Sequence, residues 1–137
     1  MELGQIRVLR GPNLWSKHSS IEAILLPTEG ACFIDDIPGF ESRLHERFPE
    51  LALWHPTRKY DVKTIAHILE FVALGLQSQI GCPVTFGQTL LLPDQRGYRV
   101  IVEYSEEAVG KLALQYAYDL CVATIENLPY DLSHALQ

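Results

Sequence analysis

The chain has 137 residues, 47% of them hydrophobic and 20% charged, with 9 glycines and 8 prolines. That is the length and composition of one globular domain with its own core, and it excludes disorder, collagen and coiled coil. Acidic residues number 17 and basic ones 11, leaving a net charge of −6 with no basic stripe, so no nucleic-acid partner is expected.

In chain order, residues 5–10 (QIRVLR) read as a strand closed by Gly11-Pro12-Asn13, a strong turn signal. Residues 21–27 (IEAILLP) read as a second strand, ended by Pro27 and the Thr28-Glu29-Gly30 stretch. The segment 38–48 has Pro38 preset for a first helical turn and Phe40, Leu44 and Phe48 spaced four apart. Asp61 is the expected cap of a long helix running to about Ile80. Its apolar face holds Ile65, Ile68, Leu69, Val72 and Leu76, while Lys63, His67, Glu70 and Gln77 lie along a narrower polar stripe. Gly75 costs that helix ~1 kcal/mol relative to alanine, which suggests close packing against it.

Residues 83–92 and 97–104 alternate as strands, with Val84, Phe86, Leu90 and Leu92 on one face of the first. Tyr98, Val100, Val102 and Tyr104 share a face of the second. Between them Asp94-Gln95-Arg96-Gly97 reads as a hairpin turn, with Gly97 available for a left-handed position. Ser105 is expected to cap a last helix, with Glu106 and Glu107 in its first turn. Val109, Leu112, Ala113, Tyr116 and Leu120 form its predicted buried face. The order β-β-α-α-β-β-α implies an α+β fold, a mainly antiparallel sheet with helices on one face, in a single domain over 1–137.

Apolar runs are short, as in AILLP at 23–27, far below the ~20 residues of a membrane span. The start, MELGQIRVLR, lacks the basic and apolar regions of a secretory signal, so the expected location is the cytoplasm, without a membrane partner. Cys32, Cys82 and Cys121 are odd in number, widely spaced and without C-x-x-C, and read as buried thiols in a reducing compartment.

The sharpest chemical constellation is His67-Ile68-Leu69-Glu70. Residues three apart on a helix point the same way, so this imidazole and carboxylate could meet one metal or one water. In the H-x-x-E-H arrangement of inverted zinc peptidases, both histidines bind zinc and the glutamate activates the attacking water. Here the fifth position is Phe71, which ligates nothing, and a catalytic zinc takes three protein ligands plus an open position. A solvated or internally paired stripe is the preferred reading, with no metal and no cofactor expected. The alternative is zinc held by His67 with a distant ligand such as His55, which otherwise reads as a surface histidine beside Trp54.

His18, His45 and His134 have no ligating neighbours in sequence, and Cys32 and Cys82 flank no nucleophile elbow. Gly81, Gly87 and Gly97 are too scattered to cradle a phosphate, so ATP chemistry is unsupported. The segment Arg7–Trp15 admits two readings. One is an edge strand with solvated arginines and Trp15 plugging the core. The other puts the arginines on one strand face, so that Arg7, Arg10, Asn13 and Trp15 form a patch for an anionic or peptide-like ligand, arginine offering bidentate bonds to carboxylates.

Taken together, LRGPNLWS at 9–16, IPGF at 37–40, HILEFVALGLQ at 67–77, PVTFGQT at 83–89 and YRVIVEYSEEAVGKLA at 98–113 resemble the amino-terminal domain of cyanophycin synthetase, in that family's order. Residues 127–137 carry no part of the resemblance. The family polymerises aspartate and arginine into a poly-aspartate backbone with arginine branches, using ATP-grasp and Mur-ligase-like domains that 137 residues do not contain. The resemblance therefore implies either an excised domain or a free-standing relative. It further implies a domain that holds the polymer near ligase sites, with ligase domains or a second copy as further partners. In some members the domain also carries a metal-dependent hydrolase site on H-x-x-E-H that cuts polymer into primers. Carried over, the first His is His67, the Glu is Glu70 and the second His position is Phe71. Upstream, the short ALWHPTRKYDVKTIA after Pro49-Glu50-Leu51 replaces a longer Gly- and Cys-containing segment of the hydrolytic members. Both departures point to a decayed hydrolase site. The leading expectation is thus a non-catalytic polymer-binding or ligase-supporting domain, with a remodelled peptidase and a structural or oligomerising domain as alternatives.

Overall fold

The computed structural model describes residues 2–26, 37–49, 64–82, 84–94 and 96–129. In chain order these form β1 (Glu2–Leu9), β2 (Ser20–Leu26), α1 (Phe40–Arg47), α2 (Ile65–Gln79), β3 (Gly87–Leu91), β4 (Tyr98–Glu103) and α3 (Glu107–Ile125). This is the α+β order expected from the sequence. The four strands make one antiparallel sheet in the order β1-β2-β4-β3, so the central pair joins strands distant in sequence.

Strand alternation splits the sheet into two chemically distinct faces. Ile21, Ala23 and Leu25 of β2 pair with Val102, Val100 and Tyr98 of β4, and this face joins α2 and α3 in the hydrophobic core. The other face carries Ser20, Glu22 and Ile24 opposite Glu103, Ile101 and Arg99. On β1, Arg7 lies across from Glu22 on that same second face, and Val8 pairs with Ile21 on the core face. β1 begins at Glu2, three residues before the expected start, and carries a bulge between Leu3 and Ile6. β3 begins at Gly87 rather than at 83, although Val84 is buried and Phe86 still accepts a backbone hydrogen bond from Glu103 at 2.9 Å.

The helices differ from expectation in their caps and exposed faces. Thr64, not Asp61, caps α2, its side chain accepting from the His67 N–H at 3.2 Å; Asp61 lies outside the described residues. α2 packs against α3, β3 and β4, and of the predicted polar stripe Glu70 is 1% exposed and Gln77 0%, His67 is half-buried, and Lys63 lies outside the described residues. Gln77 reconciles this by donating to the Glu103 carbonyl at 3.0 Å, a polar strap from α2 to β4. Gly75 is buried with the rest.

α1 starts at Phe40 with Gly39, at φ 75, as its cap, so Pro38 precedes the helix. Arg43 of α1 donates twice to the Thr124 carbonyl, at 3.0 and 2.8 Å, tying α1 to the end of α3. α3 is capped by Glu106 through backbone alone, not by Ser105. Its buried face is Gly110, Ala113, Leu114, Ala117, Leu120 and Cys121, whereas Leu112 is 52% exposed. Small residues set this phase: a Cβ on Gly110 would lie 2.6 Å from the Tyr104 Cβ, so the helix approaches the end of β4 where glycine allows it. Gly97 closes the β3–β4 hairpin, its carbonyl accepting from Leu92 at 2.9 Å, without a left-handed conformation. Its role is close approach, because a Cβ there would stand 2.8 Å from the Leu25 carbonyl oxygen. No described helix is long and apolar enough to cross a membrane.

Candidate ligand-binding cleft

The loop joining β1 to β2 is built around one amide. Asn13 Oδ1 accepts from the N–H groups of Trp15 at 2.9 Å and Ser16 at 3.1 Å, and Asn13 Nδ2 donates to the Gly11 and His18 carbonyls at 3.1 and 3.0 Å. Asparagine side chains commonly organise turns this way, by imitating backbone. Gly11, at φ 70, supplies the left-handed residue that begins the reversal, and its N–H donates to Ser19 Oγ at 2.7 Å. The loop so shaped carries Trp15 to the second face of the sheet.

There Trp15 meets a buried carboxylate. Trp15 Nε1 donates to Glu22 Oε2 at 3.2 Å, and Glu22 is 6% exposed in the middle of β2. Two guanidinium groups flank its other oxygen, Arg7 from β1 at 3.7 Å and Arg99 from β4 at 3.8 Å. The Arg99 guanidinium also stands 5.6 Å from the Trp15 ring centroid, within cation–π range. Together with Leu9, Asn13 and Leu14 these side chains line a cleft of about 330 Å³, so it presents two cations, one anion, an aromatic wall and two leucines.

Three of the four residues of the predicted patch, Arg7, Asn13 and Trp15, are therefore brought together, with Trp15 half-buried on the cleft rather than in the core. The fourth, Arg10, is not. It follows the end of β1 and pairs with Glu107 of α3, Nε at 2.8 Å and Nη2 at 3.2 Å. The expectation that both arginines share a strand face fails because the strand period is two residues and their spacing is three. The pair holds the Glu107 carboxyl below its ordinary range, chiefly through the Arg10 hydrogen bond, and raises Arg10 by the same contact. Glu22 and Arg99 complete the cleft and were not singled out in the sequence. Their signal was present as a carboxylate and a guanidinium interrupting otherwise apolar strands, but β2–β4 adjacency is needed to place them together.

The H-x-x-E remnant lies elsewhere, on α2. His67 Nδ1 is engaged by Thr64 Oγ1. Glu70 Oε1 accepts from Thr89 Oγ1 of β3 at 2.9 Å, and Gly87 leaves room for its carboxylate, since a Cβ there would sit 2.7 Å from Oε2. Phe71, where the second histidine of the motif would stand, is 1% exposed and belongs to the core. Among the described residues no three His, Cys, Asp or Glu side chains converge as a metal site, so the residues described do not fit a three-ligand catalytic zinc. His55, His134 and Cys32 lie outside the described residues. Cys121 is fully buried in the core, and desolvation pushes its thiol up to about 12, while Cys82 is half-buried. His18 is exposed in the β1–β2 loop and His45 lies on α1.

Fold and cleft define a small α+β domain with a basic, aromatic-walled recess on the sheet face away from its helices. Residues 26–126 match the family model of the cyanophycin synthase-like N-terminal domain, and the chain belongs to that family. It is similar to the cyanophycin synthetase of Trichormus variabilis, 33% identical over 142 residues that cover 95% of this chain and 16% of the relative. The cyanophycin synthetase of Crocosphaera subtropica is 30% identical over 149 residues, 100% of this chain and 17% of the relative. That of Synechocystis sp. is 30% identical over 145 residues, 97% and 17% respectively. The chain thus spans about one sixth of the length of the curated relatives it matches. The family match begins at residue 26, so β1 and the Asn13 loop precede it, while the similarity to the synthetases extends over them.

Proposed function

We propose that this domain binds and guides a peptide polymer of poly-aspartate backbone and arginine branches, without itself cleaving it, in support of ligase domains in the cytoplasm. The observation that carries the reading is the recess of Arg7, Arg99, Trp15 and Glu22, in a chain of the cyanophycin synthase-like N-terminal family. The carboxylates of such a polymer meet there two guanidinium groups beside an aromatic surface, on a frame of three paired strands. The non-catalytic part rests on α2, where Thr64 and Thr89 engage the two remaining motif residues and a core phenylalanine stands at the third. No cofactor enters this function.

The test uses a Trp54→Phe variant, which leaves Trp15 as the sole reporter, titrated with β-aspartyl-arginine oligomers. Saturable change in Trp15 emission below millimolar ligand is expected, and no association at millimolar ligand would end the binding proposal. Elemental analysis for zinc and a cyanophycin-cleavage assay accompany it. Stoichiometric zinc with cleavage would overturn the non-catalytic part.

A further inference from the structure

We infer that the recess is a receptor for a single carboxylate, with Arg7 and Arg99 as its two jaws and Trp15 as the plate that aims Arg99. On the reading just proposed, on which this part rests, the group it takes is the free α-carboxylate of an arginine branch, since the branch's α-amino group is consumed in the amide bond to the backbone.

The argument starts from a mismatch of charge and hydrogen bonding. Among the described residues two guanidinium groups face one carboxylate, which leaves one net positive charge on the lining of the recess. Hydrogen bonds between N–H and O run to about 3.2 Å, and charge-assisted ones are shorter still. At 3.7 and 3.8 Å, neither arginine bonds to Glu22 within that range, whereas the Trp15 indole does at 3.2 Å. Glu22 therefore attracts both guanidinium groups without saturating their donors. Arg99 Nε makes the point at a single atom: it is buried and, among the described residues, has no hydrogen-bond acceptor. A buried, charged N–H left without an acceptor is costly, and a ligand oxygen would relieve that cost.

The geometry also selects among ligands. A planar, singly charged carboxylate matches one net positive charge and the fork of a guanidinium. A phosphate dianion would face Glu22 as well as the arginines, and the second charge would find no partner. A guanidinium of the ligand is disfavoured inside, because Glu22 is 6% exposed and its oxygens are directed at Trp15, Arg7 and Arg99. Half-buried Leu9 lines the recess and lowers the local dielectric on its side, which strengthens a carboxylate–guanidinium contact, while Leu14 at the rim is 87% exposed. Trp15 restricts Arg99 through the 5.6 Å ring contact, so less freedom is lost when the ligand arrives.

The experiment compares β-aspartyl-arginine oligomers as free acids with the same oligomers whose arginine carboxylates are capped as amides, together with N-acetylarginine and N-acetylargininamide as monomer probes. Trp15 emission in the Trp54→Phe background is the readout, with calorimetry as a check. Capping is expected to weaken binding by about tenfold or more, the effect of removing a charge-assisted contact. Arg99→Lys and Arg7→Gln are each expected to lose about tenfold, and Arg7, with its side chain 58% exposed, can be changed without disturbing the fold. Glu22→Gln keeps an acceptor for Trp15 while removing the competing charge, so it is expected to tighten binding of the free acid. Equal affinity for acid and amide, or weaker binding by Glu22→Gln, would overturn the carboxylate assignment while leaving polymer binding intact. Binding of N-acetylarginine but not its amide, with no oligomer binding, would uphold the receptor and overturn the polymer reading. No binding of any probe would overturn both.

Discussion

Phe71→His rebuilds the H-x-x-E-H motif letter for letter on α2, so its outcome separates motif from structure. Phe71 is 1% exposed, among the largest fully buried side chains of the domain. Burying such a side chain is worth about 1.5–3 kcal/mol, part of which imidazole forfeits. The two imidazole nitrogens arrive in an apolar core, and a buried polar group without a partner costs about 1–3 kcal/mol. The expected loss is therefore about 3 kcal/mol, a large share of the 5–15 kcal/mol typical of a domain. With an m-value of about 2 kcal/mol per molar urea, the unfolding midpoint falls by about 1.5 M. Urea titration followed by far-ultraviolet circular dichroism measures this directly, and dialysis against zinc followed by elemental analysis reports on the site. A midpoint within about 0.3 M of the parent, together with one retained equivalent of zinc, would refute the reasoning. It would mean that position 71 turns to solvent readily and that the α2 face still forms a metal centre.

Three further outcomes are expected. Asn13→Ala removes the four bonds that the Asn13 side chain makes within the β1–β2 loop, so stability falls by about 1–2 kcal/mol and Trp15 emission in Trp54→Phe shifts to the red; unchanged emission would contradict the role of Asn13 in shaping the loop. Glu107 titrates below its unfolded value, so its pairing stabilises above the ordinary carboxylate range and that contribution disappears as pH falls through the lowered folded value. The urea midpoints of the parent and Glu107→Gln should accordingly differ at neutral pH and converge as the pH falls below the carboxylate range, and a gap that widens on acidification would reverse the sign. Cys121, its thiol raised to about 12 by burial, should resist iodoacetamide in the folded protein and react on unfolding, as peptide mapping would show; alkylation as fast as at Cys82 would place it outside the core.

Most elements were legible because their hydrophobic period was clean. β2 and β4 alternate, and the pairing of Ala23 with Val100 realises that alternation in one core face. The order of elements followed from turn residues and periodicity without knowledge of contacts. What failed was phase and neighbourhood. On α2 a polar stripe reads equally as solvated or internally paired, and pairing holds for Glu70 and Gln77, which are buried because β3 and β4 cover that side and provide partners. On α3 the bulky residues Leu112 and Tyr116 suggested the buried face, but the small residues Gly110, Ala113 and Ala117 decide which side can come close. At the cleft, Arg7, Asn13 and Trp15 sit together in sequence and were found together. Glu22 and Arg99 are 77 residues apart by their numbers and meet only through strand pairing.

The central pairing of β2 with β4 has a consequence for how the domain comes into being. Residues 20–26 find their inner partner only among residues 98–103, so loop closure over some seventy residues precedes completion of the sheet. Topologies dominated by such distant contacts fold slowly compared with helical hairpins or local meanders. During synthesis the amino-terminal hairpin emerges first, with its inner edge unpaired until the second hairpin leaves the ribosome. Arg99 sits on that late-arriving strand, so half of the recess is delivered last. A contact that needs both arginines therefore forms only once β4 has paired with β2.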